Sequence, residues 1–134
     1  MHTSLLKSRL NTAIIDDVHA ALLEDVGAGD LTAQLVPADA VAQATVISRE
    51  VAIVCGQAWF NETFKQVAPT ATLEWHVNDG EKMAENQTIV TIVGNARELL
   101  TAERTALNFL QLLSGTATTT RRYADAIAHT PTKM

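Results

Sequence analysis

This 134-residue sequence predicts an α+β fold: an open-faced sandwich in which an antiparallel β-sheet carries helices on one face. Three observations predict it. Apolar residues recur at helical spacing near both ends of the chain, short β-branched runs of alternating polarity lie between, and glycines and prolines mark the changes of pattern. Read in order, the chain gives a helix, two strands, a helix, at least two strands and two closing helices.

The first helix is predicted from about Thr12 to Val26, with Ile14, Ile15, Val18, Ala21 and Leu22 at helical spacing. Asn11 or Thr12 can cap its start, and Gly27 stands where a helix should stop. Gly27-Ala28-Gly29-Asp30 has the density of a dinucleotide loop. It lacks the third glycine and follows a helix instead of a strand, so it reads as a turn whose Asp30 caps a short helix, Leu31 to Leu35. After Pro37 come two β-type runs, Gln43 to Arg49 and Val51 to Cys55, the second ended by Gly56. Phe60, Phe64 and Val67 share one face of a helix over Ala58 to Val67, which Pro69 prevents from continuing. Thr72 to Asn78 alternates, with Leu73, Trp75 and Val77 on one side and Glu74, His76 and Asn78 on the other. Asp79-Gly80 is a turn signal, and Thr88 to Val93 is the answering strand. Ala96 to Leu113 forms a long helix, Ser114-Gly115 interrupts it, and Thr116 to His129 forms a second one, stopped by Pro131.

Composition narrows the function. Hydrophobic residues make up 47% and charged residues 19%, as in soluble globular domains. No apolar run approaches the roughly 20 residues that span a bilayer. The first ten residues carry Lys7 and Arg9 but no long apolar core, so they are not a secretion signal. A net charge of −5 argues against a general nucleic-acid binder, though not against a local basic site for an anionic metabolite. The single Cys55, in an apolar run, reads as a buried structural thiol, and one cysteine permits no internal disulfide, which fits a reducing cytoplasm. His2, His19, His76 and His129 are scattered without metal-ligand spacing, and His76 reads as an ordinary exposed histidine.

The most informative segment is the long helix. At about 100° per residue, Arg97, Thr101, Arg104, Asn108 and Gln111 fall within an arc of about 80°. Leu99, Ala102, Ala106, Phe109, Leu110 and Leu113 fill the opposite side, with Leu100, Leu107 and Leu112 flanking the polar stripe. An ordinary surface helix exposes a broader charged face. Two readings of the wheel stand side by side. In one, the stripe meets water or a partner helix and Arg104 pairs with a local carboxylate. In the other, it faces a pocket and Arg104 binds an anion, a task suited to a planar guanidinium that grips a carboxylate by two parallel hydrogen bonds.

Glu103-Arg104-Thr105-Ala106-Leu107-Asn108-Phe109-Leu110-Gln111-Leu112-Leu113-Ser114-Gly115, followed by Thr116-Ala117-Thr118, resembles the signature of the quinolinate phosphoribosyltransferase family, also called carboxylating nicotinate-nucleotide pyrophosphorylases. Leu22-Leu23-Glu24-Asp25 with Gly29-Asp30-Leu31-Thr32, Ser48-Arg49-Glu50 with Cys55-Gly56, and Trp75-His76-Val77 with Asp79-Gly80 agree in order and spacing. The resemblance covers about residues 16 to 129. It implies an enzyme that joins quinolinate to phosphoribosyl pyrophosphate, giving nicotinate mononucleotide, pyrophosphate and carbon dioxide on the route to NAD, with Mg2+ accompanying the phosphoribosyl donor. It implies a front domain, residues 1–113, and a helix over 114–134 leading into an α/β barrel whose mouth holds the active site under a neighbouring subunit's front domain. A homodimer or higher homo-oligomer in the cytoplasm follows, without nucleic acid or membrane.

By the same resemblance, Arg104 reaches into the neighbouring site and contacts a quinolinate carboxylate as a substrate orienter. Glu103 supports the helix and its neighbours. Asn108 and Gln111 either hydrogen-bond at the domain edge or are plain structural polarity. No catalytic residue, metal ligand or cofactor contact is expected within these 134 residues, because the family's further basic and acidic groups follow in the barrel; the chain by itself is expected to be inactive, and Arg121 and Arg122 simply solvated. Two other functions remain open. A related phosphoribosyltransferase with another acceptor, such as those associated with molybdate transport, would share this architecture. A biotinyl or lipoyl carrier would present a lysine on an exposed hairpin; Val77 to Gly80 and Ile89 to Gly94 match half of such a module, and Lys82-Met83 is a partial match to its modification site. A dimerisation role is compatible with the first reading, since the apolar breadth of the Ala96 helix suits a buried interface.

Overall fold

The computed structural model describes residues 2–128, with side chains described over 5–25 and 34–128. Eight elements follow in order: α1 (His2–Ala33), β1 (Val41–Ile47), β2 (Ala52–Ile53), α2 (Gln57–Val67), β3 (Thr72–Trp75), β4 (Lys82–Met83), β5 (Thr88–Asn95) and α3 (Ala96–Ala128). The α+β architecture is the one the sequence predicts, an antiparallel sheet with helices on one face.

The main sheet has the order β1-β5-β3, both pairs antiparallel. The longest strand is central, and Ile89, Val90 and Ile92 on it are buried. The β1 residues alternate between exposed and half-buried, as an edge strand with one covered face should. β2 and β4 form a second, two-stranded sheet with Ala52 opposite Met83. The chain reaches β4 through the Asp79-Gly80 turn, where Gly80 adopts φ +86° and its N–H donates to the Val54 carbonyl (2.8 Å). β4 is too short to leave a periodic trace, and the sequence did not predict it.

Against the sheet lie α2 and the first half of α3. Phe60 and Phe64 of α2 stack at 5.1 Å, and Phe60 meets the edge of Trp75 at 5.1 Å. With Leu99, Ala102, Ala106 and Leu110 of α3 and the buried β5 side chains, they form the principal core. A smaller cluster, Ile14, Val18 and Leu22 of α1, packs on Trp59, Val67 and Phe109, so α1 lies against α2 and α3. Gly56 fixes the approach of α2 to α3. It adopts φ +109°, and a Cβ there would come within 3.0 Å of Leu113 Cδ1.

Three expectations about helix limits are corrected. The first helix does not wait for Thr12 or stop at Gly27; α1 runs from His2 through Ala33, absorbing the supposed turn and the separate short helix. The last two helices are one, α3, continuous through Ser114-Gly115. A glycine inside a helix costs about 1 kcal/mol and does not forbid it. Ser114 is buried and doubly tied to the loop after β2: the Cys55 N–H donates to Ser114 Oγ (3.0 Å), and Ser114 Oγ donates to the Cys55 carbonyl (3.1 Å). Asn95 caps α3, accepting from the Glu98 N–H (3.1 Å) in a cap the sequence reading passed over. His129 lies outside the described residues.

Candidate functional site

The polar stripe of α3 is present as expected, and the structure divides it into three. Arg97 is a structural tie, donating to the carbonyls of Val36 and Gln34 in the connection before β1. Thr101 turns back on its own helix, donating to the Arg97 carbonyl (3.0 Å). Arg104, Asn108 and Gln111 are exposed. The apolar side reads as predicted: Leu99, Ala102, Ala106 and Leu110 are buried, and Phe109 and Leu113 half-buried.

Between α1 and α3 lies an open groove of about 460 Å³. Glu24 and Asp25 of α1 face Thr105 and Asn108 of α3 across it, with Phe109 and Leu112 as its apolar lining. α1 brings the two acidic residues here because Leu22, Val18 and Ile14, about one, two and three turns earlier, seat it on Phe109. α3 aims Arg104 and Thr105 at them because Ala102, Ala106 and Leu110 turn its other side into the core.

Arg104 is joined to the groove through Asp25. Its Nη1 lies 3.5 Å from Asp25 Oδ1, with side chains 68% and 23% exposed. The other oxygen, Oδ2, accepts a hydrogen bond from Thr105 Oγ1 (3.1 Å), and Thr105 is only 3% exposed. The local carboxylate partner of the first reading is present, and the groove lies next to it, lined by Asn108 of the stripe but not by Arg104 itself. Asp25 is the residue whose part here sequence reasoning missed. It entered only within a matched motif, and pairing it with Arg104 requires knowing that residues 79 positions apart are neighbours; Thr105 was passed over because it lies beside the polar arc.

Among the described residues, Glu103, Asn108 and Gln111 make no side-chain hydrogen bond or ion pair, so no contact here shows Glu103 bracing the helix. Also among them, no group of three or more His, Cys, Asp and Glu residues could hold a metal ion. His76 is exposed and shares a hydrogen bond with Thr91 Oγ1 (3.0 Å). Cys55 is half-buried rather than fully buried; burial first, and then the negative charge of Asp79, push its thiol pKa above the ordinary value. Lys82 is exposed on β4 opposite Ile53, while Met83 is 8% exposed within the core, unlike the free hairpin tip a carrier would present. Arg121 is exposed and donates to the Gly80 carbonyl (3.4 Å). No described helix is long and apolar enough to cross a membrane.

The fold and site define an α+β domain that presents an arginine beside a groove. Residues 30–114 match the pattern of the family described as "Quinolinate phosphoribosyl transferase, N-terminal domain". The chain is 40% identical over 108 residues to the mitochondrial quinolinate phosphoribosyltransferase (decarboxylating) 2a of Nicotiana tabacum, covering 79% of this chain and 31% of that protein. It is 39% identical over 111 residues to the chloroplastic carboxylating nicotinate-nucleotide pyrophosphorylase of Oryza sativa subsp. japonica, covering 81% of this chain and 30% of that one. The solved nicotinate-nucleotide pyrophosphorylase of Francisella tularensis superposes with a TM-score of 0.87 at 41% identity, over 92% of this chain and 44% of that one. The chain belongs to the quinolinate phosphoribosyltransferase family and corresponds to its N-terminal domain. It spans about a third of the length of these curated relatives.

Proposed function

We propose that this chain supplies the front domain of an enzyme that converts quinolinate and phosphoribosyl pyrophosphate to nicotinate mononucleotide, pyrophosphate and carbon dioxide in NAD synthesis. The observation that carries this is Arg104. It lies inside the matched segment, is largely exposed, and has only Nη1 engaged, by a carboxylate 3.5 Å away. The remaining edge of the guanidinium is free to take a substrate carboxylate through two parallel hydrogen bonds. Quinolinate carries two carboxylates, and a fixed cation orients it without acting as acid or base. Arg104 serves the site of a neighbouring subunit in a homodimer or higher homo-oligomer. Magnesium enters with the phosphoribosyl donor, and the enzyme works in the reducing cytoplasm.

The front domain closes near residue 113, and the stretch from Ser114 leads toward an α/β barrel. Ser114 is the last buried residue of α3, and the family match ends at residue 114. The test is quinolinate-dependent pyrophosphate release on this chain alone and on this chain continued into a family barrel, from its own reading frame or from the Francisella tularensis relative. Turnover is expected only in the second. There, Arg104→Ala is expected to lower kcat/KM for quinolinate about 30-fold, the loss of about 2 kcal/mol for a hydrogen bond to a charged group. Turnover by the 134 residues alone, or an indifferent Arg104→Ala, overturns the assignment.

A further inference from the structure

We propose that Asp25 is a positioning residue for Arg104, holding the guanidinium beside the groove with one edge free for an incoming carboxylate. The inference rests on the role given to Arg104 above and extends it to a group on a different helix.

Asp25 is held from a fixed point. Thr105 Oγ1 donates to its Oδ2 (3.1 Å), and the Thr105 side chain is buried, so the tether does not swing with the surface. The remaining oxygen faces Arg104 Nη1 at 3.5 Å. Two consecutive residues of α3 thus address one carboxylate of α1. An arginine on an exposed helix face otherwise samples many rotamers, and confining it costs entropy at the moment substrate binds. A pair this exposed contributes little to stability, so holding the fold together is a weak reason for it. Its geometry suits orientation better. The contact is single and long, which leaves the second guanidinium edge unoccupied, and a shorter two-pronged grip by Asp25 would compete with substrate.

The test uses the barrel-containing enzyme described above, with quinolinate and phosphoribosyl pyrophosphate varied separately. Asp25→Asn keeps size and an acceptor for Thr105 but removes the charge. It is expected to raise KM for quinolinate about tenfold while leaving KM for the phosphoribosyl donor unchanged. Thr105→Val, which cuts the tether without touching Arg104, is expected to shift the same constant in the same direction by a smaller factor, and Thr105→Ser to restore it. In the Arg104→Ala background, Asp25→Asn is expected to add less than about twofold, because its effect runs through the arginine. Independent effects of Asp25→Asn and Arg104→Ala would overturn the proposal, as would equal changes in both KM values or tighter quinolinate binding by Asp25→Asn. If Arg104→Ala itself leaves quinolinate binding unchanged, the assignment of Arg104 falls first and this inference with it. Should Asp25→Asn fail to fold, the Thr105→Val and Thr105→Ser pair decides alone: no shift in quinolinate KM overturns the proposal.

Discussion

Cys55 shows how far one residue's chemistry depends on its neighbours. Its backbone is gripped on both sides by Ser114 Oγ, while its half-buried thiol lies within the field of Asp79. Burial and the adjacent negative charge both disfavour the thiolate, so at a given pH less of it is ionised than in a free cysteine. The rate of alkylation by iodoacetamide is therefore expected to rise at a higher pH than for a free thiol. Asp79→Asn should move that rise downward without abolishing the shift, since burial remains. The variant keeps the oxygen that accepts the Gln57 N–H (3.1 Å), so the turn should survive. A profile identical to free cysteine would contradict the account.

At the scale of the element, two helices end shortly before a proline: α1 at Ala33 before Pro37 and α2 at Val67 before Pro69. Proline is a hard stop because it lacks an N–H and its ring clashes with the preceding turn; glycine only lowers propensity. Gly115 is the cleanest place to measure this. A Cβ there meets nothing within 4 Å, so Gly115→Ala is expected to raise unfolding free energy by about 0.5–1 kcal/mol in a urea titration. Ser114→Ala should lower it by about 1–3 kcal/mol, since the Cys55 N–H and carbonyl both lose a partner. The same contrast explains what could be read in advance. The sheet's alternation at Leu73 and Trp75 and the apolar side of α3 were legible because periodicity records burial directly, though β3 ends at Trp75, short of the expected Asn78. The passage of α1 through Gly27 and Gly29, the two-residue β4 and the pairing of Asp25 with Thr105 were not, because each depends on packing or on contacts distant in sequence.

For the molecule as a whole, the core lies toward one end of α3. Phe60 and Phe64 anchor it, and Phe60→Ala is expected to cost about 3–5 kcal/mol, a large share of a small domain's stability. The second half of α3 contributes far less: residues 119–126 are exposed. Arg122→Ala and Asp125→Ala are accordingly each expected to change the unfolding free energy by less than about 1 kcal/mol, as surface changes usually do. A loss comparable to that of Phe60→Ala would mean that the distal half supports the sheet.

That half is nonetheless rigidly geared to the rest. As one unbroken helix of 33 residues, α3 is a shaft about 50 Å long, and with no break at Ser114-Gly115 the front domain has no swivel there. Whatever is mounted on its far half is presented at a fixed azimuth to the Arg104 face. Inserting one alanine after Thr120 would rotate everything beyond it by about 100°, whereas seven would bring it back to within about 20° of its original phase. The alignment of the two halves is thus a matter of counting residues.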